Sequence, residues 1–265
     1  MSSVQSLLHE GSDLSSEDPR RDAEVLLGHC LERPRSWLYA WGDSAVDEGV
    51  AARYRKLLRD RQAGVPVAYL LGTREFWSLP LRVTPATLIP RLALPDSARV
   101  LDLGTGSGAI ALALASERPR WSVTAVDADA GAVAVALQNV ASLAPGRVDV
   151  LVSDWFSALT GRRFDLVVAN PPYVSASDTH LTAGDLRFEP RRALVSGDDG
   201  LEDLSRIVAQ APTHLVDEGC LLLEHGFDQG AAVRSLLTEA GFAAVVTYRD
   251  FAGNERVSGG CWYAE

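Results

Sequence analysis

From Arg99 onward the sequence predicts an α/β fold, a mostly parallel seven-stranded sheet with helices on both faces, preceded by a small helical domain. Three observations predict it. Strand-length apolar runs alternate with helix-length stretches. One buried run ends in a glycine-rich turn that opens a helix. The first 66 or so residues carry only helical periodicity.

Residues 1–66 form the first expected domain. Pro19-Arg20-Arg21-Asp22-Ala23-Glu24 begins with a proline suited to a first helical turn, and Ala23, Leu26, Leu27 and Leu31 follow at helical spacing. A second helix is expected over 47–62, stopping near Gly64 and Pro66. With no catalytic constellation, this part reads as a bundle for recognising a substrate. Residues 67–98 change texture: Glu75-Phe76-Trp77-Ser78-Leu79-Pro80-Leu81-Arg82-Val83 predicts a short β-hairpin linker. Residues 99–265 carry expected strands at 100–103, 122–126, 148–152, 164–169, 220–224, 243–248 and 257–263, with helices at 109–117, 129–141, 201–215 and 229–240. The last two strands follow one another without a helix, so an antiparallel hairpin should finish the sheet.

Composition narrows the function classes. A net charge of −10 disfavours long nucleic acid as the main ligand, because phosphate binding draws on a basic face. The stretch Arg53-Tyr54-Arg55-Lys56-Leu57-Leu58-Arg59-Asp60-Arg61 is a local exception, read as a solvated helix face or, alternatively, a docking patch. No apolar run approaches the roughly 20 residues of a membrane span, and no signal peptide is visible. Cys30, Cys220 and Cys261 lie far apart and are read as reduced thiols of a cytoplasmic protein; no metal site is visible.

Chemistry enters at Val100-Leu101-Asp102-Leu103-Gly104-Thr105-Gly106-Ser107-Gly108. Glycines let the chain turn tightly and let a ligand approach where a Cβ would collide. Asp127 ends the next strand, where a carboxylate can accept from both ribose hydroxyls of an adenosine. The nucleotide-binding set is therefore Gly104, Thr105, Gly106, Ser107, Gly108 and Asp127. By itself it suits a methyltransferase or a nicotinamide enzyme.

A second signal separates the two. The strand Asp165-Leu166-Val167-Val168-Ala169 ends in Asn170-Pro171-Pro172-Tyr173, beyond the carboxyl end of a parallel strand, where ligands bind. An amide nitrogen is a poor nucleophile because its lone pair is delocalised. The Asn170 side-chain oxygen and the Pro171 carbonyl can accept both N–H hydrogens of a planar –NH2 and aim its lone pair at the methyl group of a sulfonium. Pro171 and Pro172 stiffen the backbone, and Tyr173 can stack on the flat amide. Asn170, Pro171, Pro172 and Tyr173 are thus the catalytic candidates, with Asn170 also bordering the cofactor. Trp155, after the third strand, is read as covering the adenine or as a core tryptophan. Phe188-Glu189-Pro190-Arg191 shapes a substrate entrance or a turn, and His225 is read mainly as a hydrogen-bonded sheet-edge residue.

These motifs, together with Thr87-Leu88-Ile89-Pro90-Arg91, Leu222-Leu223-Glu224-His225-Gly226 and Asn254-Glu255-Arg256-Val257, resemble the release-factor glutamine N5-methyltransferase family, the HemK/PrmC enzymes, over nearly the whole chain. The resemblance implies a class I (Rossmann-like) methyltransferase domain. It also implies S-adenosyl-L-methionine as cofactor, S-adenosyl-L-homocysteine as product, and the glutamine of the Gly-Gly-Gln motif of peptide-chain release factors as substrate, hence a place in translation termination. Asn-Pro-Pro-Tyr is shared with adenine N6-methyltransferases, which stay open as an alternative. One departure stands out: the family follows Ile-Pro-Arg with a proline, an acidic residue, Thr, Glu and a helix, whereas here Arg91 runs through eight residues, 92–99, into Val100. That span can still bridge roughly 29 Å. The missing element leads us to expect exposed apolar sheet surface and weakened cofactor binding or activity, and leaves a release-factor-binding protein with impaired activity as a further alternative.

Overall fold

The computed structural model describes residues 2–16, 18–71, 94–178, 190–250 and 252–264. The chain divides into two compact units. Among the described residues the first holds 2–16, 18–71 and 190, and the second holds 94–178, 191–250 and 252–264.

In the first unit, α1 (Val4–Glu10), α2 (Pro19–Leu31), α3 (Arg35–Ala40), α4 (Glu48–Gln62) and α5 (Val67–Leu71) surround one apolar core that includes Leu7, Leu26, Leu27, Leu38 and Tyr54. Their starts are capped as the sequence allows. Ser3 forms a capping box with Ser6, Asp18 accepts from the Arg21 amide ahead of Pro19, and Asp47 caps α4. The Pro19–Glu24 motif serves this fold. The buried Glu24 carboxylate accepts from Arg20 Nε at 3.0 Å, from Tyr39 Oη at 2.6 Å and from Arg35, while Asp22 pairs with the buried Arg61 at 2.7 Å. Part of the basic stretch of α4 makes similar contacts: Arg55 reaches Glu10 and Glu48, and Lys56 reaches Asp60.

The hairpin expected at 75–83, the segment 87–91 and residues 92 and 93 of the shortened 92–99 stretch lie outside the described residues, while residues 67–71 are helical.

The second unit is a sheet of seven strands among the described residues, in the order β3-β2-β1-β4-β5-β7-β6. Its elements are β1 (Arg99–Leu103), α6 (Ala109–Glu117), β2 (Ser122–Asp127), α7 (Ala130–Leu143), β3 (Val148–Val152), β4 (Phe164–Ala169), α8 (Glu202–His214), β5 (Leu215–Glu224), α9 (Gly230–Glu239), β6 (Ala243–Arg249) and β7 (Glu255–Cys261). The first five strands in spatial order pair in parallel, as βαβ connections require. β7 runs antiparallel between β5 and β6. Alternation along the strands sends Leu101, Leu103, Val167, Ala169, Leu221 and Leu223 into a core with Leu204, Ile207, Val208, Val233 and Leu237 of α8 and α9. The alternate positions, on the opposite face, include Val100, Leu166, Val168 and Leu222.

Two expectations are corrected. The sheet face opposite α8 and α9 is not exposed at these described positions: Val100, Leu166 and Val168 are 0% exposed and Leu222 is 2% exposed. The cysteines are not three free thiols either. Cys220 and Cys261 stand opposite each other in the β5–β7 register and form a disulfide, while Cys30 is free and buried. Two residues 41 apart in sequence meet only because the antiparallel pairing brings them together.

Candidate active site

The carboxyl edge of the sheet gathers the sequence-predicted residues. Leu103, Ala169 and Leu223 sit side by side in the β1–β4–β5 register, so the next positions, Gly104 and Asn170 just past their strands and Glu224 at the end of β5, form one row. This is where open parallel sheets bind ligands.

The glycine turn is held from below. Asp102 is fully buried, and its Oδ2 accepts from Thr105 Oγ1 at 2.6 Å and from the Ala111 amide at 3.1 Å, which ties β1, the turn and α6 together. Burial pushes its carboxyl up to about 7, against the pull of those two donors. Gly104, Gly106 and Gly108 have φ of +68°, +56° and +84°, in the left-handed region that favours glycine. At Gly106 an added Cβ would meet nothing within 4 Å, so this face of the turn is open to an approaching group. The Gly106 amide donates to Asp127 Oδ2 at 2.9 Å, and the Asp129 amide donates to Oδ1 at 2.8 Å. The end of β2 therefore holds the turn, and the Asp127 carboxylate keeps further lone pairs for a ligand. The Ser107 carbonyl accepts from Asn139 Nδ2 at 2.8 Å, anchoring the turn to α7.

Trp155 takes the left-handed conformation at φ +47° after β3. A Cβ on Gly104 would stand 3.3 Å from its ring, and its Nε1 donates to Asp203 Oδ1 at 3.2 Å on the first turn of α8. The indole thus forms one wall beside the glycine turn.

Asn170 is exposed, Pro171 is buried, and Pro172 and Tyr173 are half-buried. Tyr173 packs on the core under α8 and α9. The chain then bridges Val174 to Val195: the Val174 amide donates to the Leu194 carbonyl at 2.8 Å, and the Ser196 amide to the Val174 carbonyl at 3.0 Å. Glu224 lies within electrostatic reach of Tyr173 and Arg256. Burial pushes the Glu224 carboxyl up to about 7, with Arg256 pulling the other way, and burial also raises the Tyr173 phenol.

His225 is not part of this group. It is fully buried, with Nδ1 on the Gly226 carbonyl and Nε2 on Ser258 Oγ, both at 2.8 Å. Phe188 and Glu189 lie outside the described residues; Pro190 and Arg191 are exposed. Residues that sequence reasoning passed over are Asp203, Gln229 and Arg192, whose guanidinium pairs with Asp129 two residues beyond Asp127. Among the described residues no cluster of His, Cys, Asp or Glu could hold a metal ion, and no helix is long and apolar enough to cross a membrane.

Comparison with known proteins matches this architecture. The family model "Methyltransferase small domain" matches residues 83–197, and "PrmC N-terminal domain" matches residues 5–72. A release factor glutamine methyltransferase of Pseudomonas aeruginosa is 53% identical over 99% of each chain, and one of Escherichia coli K12 is 49% identical over 94% of each. The chain belongs to the release factor glutamine methyltransferase family. It is thus a methyltransferase with a Rossmann-like domain. The alignment with the Pseudomonas relative runs over 274 positions and the chain has 265 residues, so at least nine positions of that relative have no counterpart here. Among solved structures, the hMettl16 catalytic domain in complex with an RNA hairpin has a TM-score of 0.57 at 17% identity, covering 83% of this chain and 84% of that one. A Pyrococcus furiosus methyltransferase has a TM-score of 0.51 at 17% identity, covering 80% and 100%. At that identity both likenesses speak for the fold.

Proposed function

We propose that this family member transfers a methyl group to the side-chain amide nitrogen of the Gly-Gly-Gln glutamine of peptide-chain release factors, with S-adenosyl-L-methionine as donor. The carrying observation is that Asn170 leaves the sheet edge in the same row as Gly104, one strand away. When bound, the cofactor supplies an electrophilic methyl on a sulfonium. Gly104 to Gly108 and Asp127 would hold it: the open face of Gly106 and the spare lone pairs of Asp127 fit an adenosine, with the Trp155 ring alongside. The helical unit, residues 1–66, would recruit the protein substrate.

On this reading Asn170 Oδ1 and the Pro171 carbonyl accept the two amide hydrogens of the glutamine and localise the nitrogen lone pair. The nitrogen gains a methyl and loses one proton, which passes from these acceptors to solvent at the exposed Asn170. Catalysis is then positioning and electrostatics, with no covalent intermediate. The setting of such a reaction is cytoplasmic.

Peptide mass spectrometry of an unmethylated release factor, incubated with the protein and S-adenosyl-L-methionine, tests this. One added methyl on the Gly-Gly-Gln glutamine is the expected result. No added methyl, with the Pseudomonas relative active in parallel, would overturn the proposal and leave a binding-only protein.

A further inference from the structure

We propose that Gln229 is a positioning residue for the methyl-accepting site, fixing the segment that carries Asn170-Pro171-Pro172-Tyr173; this rests on the function proposed above. Gln229 precedes α9, yet its side-chain amide meets three separate pieces of chain. Nε2 donates to the Tyr173 carbonyl at 3.0 Å and to the Asp199 carbonyl at 3.4 Å, and Oε1 accepts from the Gly226 amide at 2.8 Å. One planar group therefore links the end of the Asn-Pro-Pro-Tyr turn, the loop before α8 and the turn that follows β5.

The junction is closely packed. At Gly200, where φ is +77°, an added Cβ would stand 2.3 Å from the Tyr173 carbonyl oxygen and 2.8 Å from Gln229 Nε2. At Gly226 it would stand 3.0 Å from Gln229 Oε1. The neighbouring backbone thus leaves room for this amide and little else. Asn170 and Pro171 lie between β4, paired on both sides in the sheet, and Tyr173, whose carbonyl Gln229 holds. Loss of the Gln229 bond leaves this end of the segment to the Val174 bridge and the packing of Tyr173, which lets the two acceptors shift, and a displacement of about 1 Å costs on the order of 100-fold in rate. Gln229 touches neither the glycine turn nor Asp127 in any hydrogen bond among the described residues, so cofactor affinity should stand apart from this effect.

The test uses the full-length protein carrying Gln229→Met, which keeps length and bulk but removes the donors and the acceptor, and Gln229→Glu, which keeps the acceptor for Gly226 and sets a carboxylate oxygen against two carbonyls. The expected result is a 10- to 100-fold fall in kcat in both variants, with KM for the release factor and cofactor affinity by calorimetry within threefold of wild type. Hydrogen exchange of the Val174 and Ser196 amides should accelerate while β4 and β5 stay protected. A folded Gln229→Met protein with kcat within twofold of wild type overturns the inference. So does a parallel loss of kcat and cofactor affinity, which marks general loosening. If wild type itself transfers no methyl, the functional proposal fails, and unchanged exchange at Val174 and Ser196 still decides against this inference.

Discussion

The indole of Trp155 donates to the Asp203 carboxylate at 3.2 Å and thereby sets its ring against Gly104, joining the turn after β3 to the start of α8. If that bond orients the ring, removing it from either side has one effect. Trp155→Phe and Asp203→Ala should each weaken cofactor binding by roughly three- to tenfold, about the worth of one hydrogen bond. The double variant should be no weaker than the worse single one. Calorimetric titration of the four proteins checks this; additive losses would sink the coupling.

Asp127 holds the glycine turn through the Gly106 amide and offers its remaining lone pairs outward. Bonds to a charged acceptor contribute about 1.5–3 kcal/mol. Asp127→Ala should therefore raise the cofactor dissociation constant by roughly 10- to 100-fold, with Asp127→Asn in between. Equal affinity for wild type and Asp127→Ala would remove Asp127 from the site.

Asn170 offers its side-chain oxygen where the amide must dock. Asn170→Ala should lower kcat by roughly 100- to 1,000-fold, as for loss of one preorganised polar group aimed at a transition state, and leave cofactor affinity near wild type. Quantified methylpeptide over time gives the rate. A variant that loses cofactor affinity in proportion to rate would place Asn170 on the cofactor alone.

Burial raises Glu224 from 4.5 to about 7 and Asp102 from 3.8 to about 7. For groups raised in the folded state, the stabilising contribution is complete below the unfolded pKa and is lost as pH climbs through the folded one. Stability should therefore fall as pH rises from 4.5 to about 7 on account of Glu224, and from 3.8 to about 7 on account of Asp102. Melting temperatures at pH 5.5 and 7.5 should drop less in Glu224→Gln than in wild type. Identical slopes would show that Glu224 does not titrate in this range.

Much of the second unit was legible because its physics is periodic. The expected helix over 109–117 and the strands over 148–152 and 164–169 coincide with α6, β3 and β4. The site's skeleton was legible because glycines and prolines restrict backbone conformation locally. What stayed hidden depends on distant partners. Short α1 and α3 carry too few turns for a periodic signal. β5 begins at Leu215, five residues before the expected start, across an irregular register and a left-handed Glu218 that break its alternation. The Cys220–Cys261 bond, the Trp155–Asp203 contact and the three-way reach of Gln229 all follow from strand register and loop packing, and no local pattern encodes them.

The placement of β7 between β5 and β6 has a consequence for how the polypeptide matures. β6 leaves the ribosome before β7 but is joined to the sheet only through it. β6 must therefore wait, with exposed Val246 uncovered by any strand neighbour, until residues 255–261 thread into the gap. Methylating capacity should consequently appear only after synthesis has passed Cys261, and a stop codon a few residues upstream would strip two strands from the sheet rather than one.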